Sequence, residues 1–309
     1  MDDIKELVKG CWGSIFNNLG ISVGNGRHQG CPVCSPGDPT SDRFRFIDEF
    51  GTGSWFCNQG HNGKQAGDGW DLLMLCLDVD FPGAVKMVES VIGKAKKTPI
   101  NNGLQYKPEL LRQMYKDSKP LDGLCLASQY LRNRGLKTFP PSLRYLAECY
   151  EASTKTKMPA MLATFSAQDS EAITLHRIYL KEGGHKADLE KGKLSLTPKK
   201  PMAGGAVRLF PATVDVGLCE GIETAIAVHE LFDMPTWAVL STSLMVSWEP
   251  PAGIQNIIVF ADHDFNYAGK KAAYTLANKL ALKGYSVGVE SPKKLGDDFL
   301  DEHQDRKRA

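Results

Sequence analysis

No stretch of about 18 consecutive apolar residues occurs anywhere in the 309-residue chain, which excludes a membrane-spanning helix of ordinary length. A Gly-x4-Gly-Lys-Ser/Thr loop is also missing, so the backbone cradle by which P-loop proteins hold nucleotide phosphates is excluded. There is no internal repeat, which rules out solenoids and arrays, and no low-complexity segment. The opening MDDIKELVKG has acids in a helical pattern where a signal peptide carries basic and then apolar residues, so the expected compartment is the cytoplasm. What remains is ordinary globular material, 42% hydrophobic and 24% charged, long enough for two or three domains.

Net charge is scant at +1, which gives no bulk attraction for a polyanion. Its distribution is uneven: −5 over residues 1–92, +11 over 93–210 and −5 over 211–309. A basic middle between acidic ends suits a polyanion held beside a carboxylate-rich, metal-loaded centre, although a charge block is more often a solvated face.

The pattern along the chain divides it into three domains. Met1 to about Gly20 predicts one short helix with Ile4, Leu7, Val8 and Cys11 on a stripe. Strand-like patches follow at Arg43–Ile47 and Ser54–Cys57, then two helices broken near Pro82. The polar Lys94–Gly103 segment reads as a linker. A helix around Leu121–Arg134 ends at Gly135, and a β-rich portion begins near Pro159. From Val214 apolar strands alternate with helices, the pattern of a parallel α/β sheet. The expected fold is thus α+β: a small N-terminal ribbon with flanking helices over 1–93, a basic mixed α/β region over 104–205 and a parallel-sheet domain over 206–309.

Of eight cysteines, three cluster: Cys31-Pro-Val-Cys34, then Cys57-Asn-Gln-Gly-His61. Two ligand pairs on two knuckles are what a tetrahedral structural Zn2+ needs, and so polar a ribbon has little core without metal. His28, three residues before Cys31, competes with His61 for the fourth position. The single cysteines Cys11, Cys76, Cys125, Cys149 and Cys219 read as small core residues. Between the knuckles Arg43, Phe44, Arg45, Phe46 and Trp55 interleave charge with rings, a mixture that grips phosphates and stacks bases, or else packs the hairpin.

RHQGCPVC, SDRFRF, GSWFC and AGDGWDLL together resemble the zinc-binding domain of phage- and plasmid-type DNA primases, which precedes a primase domain and reads the template. The usual second knuckle in that family is Cys-x-x-Cys, and Cys57-x3-His61 departs from it.

Two acidic signals stand at strand ends in the C-terminal part: Glu220 after VDVGLC, and Asp262-His-Asp264 after NIIVFA. Functional groups collect at the carboxyl ends of parallel strands. Carboxylates crowded there are costly unless a divalent cation lies among them, so the set reads as a magnesium site for phosphoryl chemistry. Asp298 and Asp301, in LGDDFLDEH, are either further metal-facing groups or a solvated acidic loop.

This constellation, over about residues 206–300, resembles the Toprim domain of bacterial-type primases, type IA and II topoisomerases and some nucleases. The resemblance implies Asp262 and Asp264 as ligands of catalytic Mg2+, with Mn2+ able to substitute, and Glu220 as acid/base or metal-associated residue. LHRIYLKEGGHKADLEKGKLSLTPKK looks like the portion ahead of Toprim in the same primases. There Arg177, Lys186, Lys193, Lys199, Lys200 and Arg208 are candidates for holding template phosphate or incoming triphosphate. A zinc module followed by Toprim is the primase arrangement, which implies a DNA-directed RNA polymerase acting on single-stranded DNA with ribonucleoside triphosphates. Without a P-loop, unwinding falls to a separate replicative helicase or to a further C-terminal part. A Toprim nuclease and a non-catalytic DNA-binding accessory are the rivals; a type IA topoisomerase needs large additional domains that this length scarcely allows.

Overall fold

A computed structural model describes residues 2–24, 28–38, 40–48, 51–61, 64–93, 106–189 and 192–308. The Lys94–Gly103 linker lies outside the described residues. The chain forms two compact units, Met1–Gln105 and Tyr106–Ala309. Among the described residues no helix is long and apolar enough to cross a membrane.

The first unit opens with α1 (Asp2–Val8) and α2 (Trp12–Asn18). The single helix expected up to about Gly20 is broken because Gly10 takes a left-handed φ of 76°. The break also turns Leu7 outward, whereas Val8 and Cys11 are buried. A three-stranded antiparallel sheet follows: β1 (Phe44–Phe46), β2 (Trp55–His61) and β3 (Lys64–Gly67). Then come α3 (Gly69–Leu77) and α4 (Phe81–Ile92). The break between them falls before Pro82, which sits in the first turn of α4 behind the capping carboxylate of Asp80. Asp68 and Asp71 form a reciprocal capping box at the start of α3.

This ribbon unit is not poor in core, contrary to the sequence expectation. Trp12, Ile15, Phe16, Phe44, Trp55, Leu72 and Leu73 form one buried cluster, because the flanking helices supply the apolar faces that the short sheet lacks.

The second unit begins with α5 (Pro108–Asp117), β4 (Lys119–Pro120) and α6 (Leu126–Asn133), the last ended by Gly135 at a φ of 81°. Long antiparallel strands β5 (Leu143–Glu151), β6 (Thr156–Ser166) and β7 (Ala172–Lys181) follow, with short β8 (His185–Lys186) and β9 (Lys193–Ser195) paired to β7. The β-rich portion therefore starts at Leu143, ahead of the expected Pro159. β10 (Ala206–Arg208) bridges β6 to the last portion of the chain, β11 (Asp215–Cys219), α7 (Ile222–Phe232), β12 (Thr236–Ala238), α8 (Thr242–Ser247), β13 (Asn256–Phe260), α9 (Ala268–Leu282), β14 (Ser286–Glu290) and α10 (Phe299–Arg308).

One continuous sheet results, in the order β14-β13-β11-β12-β10-β6-β5-β4, with β7 along the other edge of β6. β11 pairs in parallel with β12 and β13, and β13 with β14, as the alternating strand and helix pattern requires. One core cluster joins α6, β6 and α7, so the middle region and the parallel-sheet domain share buried side chains.

Candidate metal centres

In the ribbon, the ligand atoms of Cys31, Cys34, Cys57 and His61 all lie within 4.8 Å of one another. The Cys34 and Cys57 Sγ atoms are 3.8 Å apart, and Cys31 Sγ is 3.2 Å from His61 Nε2. A tetrahedral zinc with Zn–S bonds of about 2.3 Å places its sulfurs about 3.8 Å apart, so the cage has the right size. Burial pushes the Cys31 thiol up to about 12, against backbone N–H groups of Cys34 and Val33 that favour the thiolate. A dication offsets that cost, and burial likewise holds the His61 imidazole in the neutral form that binds metal. His28, the alternative fourth ligand, is exposed, and its Nδ1 donates to the Asp42 carbonyl at 2.8 Å. The Cys3His cluster is a structural Zn2+ site.

Alternation along β1 sorts the interleaved residues by face. Phe44 and Phe46 point into the core and Arg45 outward; Arg43 is exposed as well. Trp55 is corrected: its ring is buried against Phe44 and His61, and its Nε1–H donates to the Asp68 carbonyl, so it packs the hairpin and stacks no base. Of the lone cysteines, Cys11, Cys149 and Cys219 are buried as expected, whereas Cys76 and Cys125 are only half-buried.

In the second unit, Glu220 follows β11 directly and Asp262 and Asp264 follow β13, on neighbouring parallel strands. The loop before α10 is stitched beside them. His263 N–H donates to the Asp297 carbonyl at 3.0 Å, and Gly296 N–H donates to the His263 carbonyl at 2.7 Å. Four carboxylates thereby surround Asp262. Its burial, then Asp298, Glu220, Asp264 and Asp301 in turn, push Asp262 up to about 7. Its Oδ1 is buried without a hydrogen-bond partner. Glu220 is raised by burial and by Asp264, with Lys193 opposing. Gly269 closes the turn, since a Cβ there would meet the Asp262 carbonyl at 2.8 Å. Its N–H donates to Asp264 Oδ2 at 3.0 Å.

An orphaned carboxylate oxygen in a field of other carboxylates fits a divalent cation, for which these hard oxygen donors are suited. Asp298 and Asp301 have a local task too. Asp298 Oδ1 accepts from Asp301 N–H at 2.9 Å and Asp301 Oδ2 from Asp298 N–H at 3.1 Å, a capping box at the start of α10.

The six basic residues do not form one ridge. Arg177 donates to the Tyr179 hydroxyl at 2.7 Å and lies over that ring. Arg208 donates to Ala167 O, Gln168 O and Ser170 Oγ and covers Trp237. Both guanidinium groups are thus engaged in part within the fold, each with a buried Nε that has no partner. Lys199 and Lys200 are paired with Glu171, and Lys200 also with Asp169, so that patch is largely neutralised. Lys186 and Lys193 are different, because both approach Glu223, a residue that sequence reasoning missed.

Glu223, in the first turn of α7, is buried. Lys193 Nζ lies 2.9 Å from both of its oxygens, Lys186 Nζ lies 4.0 Å from one, and the Tyr130 hydroxyl donates at 2.5 Å. Burial alone would raise its pKa; Lys193 and the Tyr130 hydrogen bond outweigh it and hold Glu223 at about 2 against an ordinary 4.5. The ionised form therefore stabilises the fold fully above about pH 4.5, and that contribution is lost as pH falls through about 2. Glu223→Gln is expected to cost about 3 kcal/mol at pH 7 and to remove the matching part of the acid-induced loss of stability. Urea unfolding from pH 7 to 3 checks this; a variant as stable as the parent at pH 7 contradicts it.

Three family models match the chain: "Zinc-binding domain of primase-helicase" over residues 26–70, "Domain of unknown function (DUF7146)" over 105–209 and "Toprim domain" over 215–309. The chain thus has the domain content of a primase-type protein, a zinc ribbon ahead of a Toprim domain. Among solved structures, it is similar to the zinc-binding and RNA polymerase domains of the Aquifex aeolicus primase, at 14% identity and a TM-score of 0.47, over 99% of this chain and 84% of that one. It is also similar to the primase fragment of the bacteriophage T7 primase-helicase protein, at 13% identity and a TM-score of 0.40, over 91% and 96%. A DNA primase domain from Pseudomonas aeruginosa matches at 16% identity and a TM-score of 0.43, over 65% and 76%.

Proposed function

We propose that the protein is a DNA primase that synthesises short RNA primers de novo on single-stranded DNA by magnesium-dependent nucleotidyl transfer. The observation that carries the reading is Asp262, at a strand end of a Toprim sheet, with an orphaned buried oxygen among four further carboxylates, in a chain whose Toprim domain is preceded by a zinc ribbon. Asp262 and Asp264, with Glu220, would hold magnesium, which when bound supplies neutralising charge for a triphosphate. Glu220, raised by burial, accepts the proton of the attacking 3′-hydroxyl as the new bond to the α-phosphorus forms and pyrophosphate leaves. Lys193 is oriented by Glu223, and with Lys186 it offers ammonium donors to phosphate oxygens. The ribbon's Arg43 and Arg45 hold template phosphate. The work is cytoplasmic, with unwinding by a separate helicase.

The test is incubation of the purified protein with single-stranded DNA, labelled ribonucleotides and magnesium. Short labelled strands support the reading. A shortened template points to a nuclease, and template binding with no product on many sequences points to an accessory protein. Template affinity is further expected to fall about twentyfold for about three phosphate contacts when salt rises roughly fourfold. Filter binding at graded salt measures this, and a flat response removes the phosphate-gripping role from the basic residues.

A further inference from the structure

The turn that carries the Asp262–Asp264 pair continues into two aromatic residues that the fold leaves outside its core. Phe265 is 77% exposed and Tyr267 is 53% exposed. Isolated exposed rings are common on protein surfaces. These two are separated by one residue, directly follow a candidate metal ligand, and are held in place by the turn. Tyr267 adopts a left-handed φ of 57°, a conformation costly for an aromatic residue and retained where the surroundings enforce it. Its N–H donates to the Asp264 carbonyl at 3.0 Å, and its ring lies beside the His263 imidazole, with centroids 6.0 Å apart. Lys270 Nζ stands 5.7 Å from the centre of the same ring. Phe265 rests on the neighbouring acidic loop, where a Cβ on Gly296 would come within 2.9 Å of its ring. Tyr267 thus stands on the loop of Asp262 and Asp264 with Lys270 beside it, and Phe265 reaches from that loop to the one before α10, a lip beside the carboxylates.

We infer that Phe265 and Tyr267 form a stacking platform for the base of a nucleoside triphosphate whose phosphates are bound at the adjoining carboxylate site. The inference rests on the proposed phosphoryl-transfer reading of that site. Charge and shape favour this occupant: a sequence-tolerant π-surface suits any of the four bases, and the Lys270 ammonium beside the Tyr267 ring adds positive charge for a polyanionic ligand. Phosphates drawn to a cation on Asp262 and Asp264 leave their base within reach of the next residues along the chain, Phe265 to Tyr267.

The test compares two probes on the intact 309-residue chain with magnesium by calorimetry: ATP, which has a base, and inorganic tripolyphosphate, which has none. Phe265→Ala is expected to weaken ATP about tenfold and to leave tripolyphosphate unchanged, whereas Phe265→Trp keeps ATP affinity. Tyr267→Asn, whose side chain tolerates the left-handed turn, is expected to act in the same direction. Tyr274→Ala removes another exposed ring of α9, outside the lip, and is expected to do nothing. Equal ATP affinity in Phe265→Ala and the parent overturns the platform. A loss confined to single-stranded DNA binding overturns it in favour of a template contact. If neither probe binds the parent protein, the phosphoryl-transfer reading of the site fails and takes this inference with it.

Discussion

Removal of zinc is expected to unfold the first unit and leave the second standing. Structural zinc in small modules contributes on the order of 10–16 kcal/mol of apparent binding energy, which is folding energy wherever the cage forms only in the native state. The whole stability of a domain is about 5–15 kcal/mol, so even the sizeable core around Trp12, Phe16 and Trp55 does not offset that loss. Cys31 and Cys57 are themselves members of that core, and the Trp55 ring lies 6.1 Å from that of His61. Opening the cage therefore hydrates buried rings. The expected readout is a red shift in tryptophan fluorescence with a chelator, while the second unit keeps its cooperative unfolding transition. Cys57→Ala should reproduce the shift without chelator. Zinc-free protein with unchanged fluorescence contradicts the account.

Replacement of the paired carboxylates is expected to have the largest effect on catalysis. Asp262→Asn with Asp264→Asn keeps size and shape, including an oxygen able to accept from Gly269 N–H, but removes two charges from a crowded set. Loss of the cation's holders should lower primer synthesis on the order of a thousandfold or more. Stability should move the other way, because the substitutions relieve repulsion among Glu220, Asp262, Asp264, Asp298 and Asp301. Activity lost without stability lost, measured by product yield beside urea unfolding, is the signature of groups crowded for function. Equal loss of both would make them structural.

Glu220 and the Asp262–Asp264 pair were legible in the sequence because each follows a short apolar run and precedes a helix, and parallel-sheet geometry brings such strand ends together. The zinc knuckles were legible from spacing alone. Glu223 was not, since a carboxylate in the first turn of a helix is ordinary helix chemistry. Its partners Tyr130 and Lys193 come from distant parts of the chain, and only the tertiary fold shows that it is buried. The internal partners of Arg177 and Arg208 are hidden for the same reason: a cation in the sequence carries no mark of the carbonyls and rings it meets in the fold. The strand at Leu143–Glu151 is not legible in the sequence, because a register shift between Leu146 and Cys149 breaks the alternation that advertises a strand. In sequence Trp55 reads equally as a base-stacking or a packing ring, because β2 alone does not say which face the neighbouring helices cover.

De novo strand initiation at the Toprim carboxylates is the central claim, and a label on the γ-phosphate of the first nucleotide addresses it most directly, because only a chain started without a primer retains that phosphate. On single-stranded DNA with magnesium, the protein is predicted to yield short γ-labelled strands, and the Asp262→Asn/Asp264→Asn variant none. Labelled strands that persist in the variant, or their absence from the parent protein while template binding is intact, would contradict it.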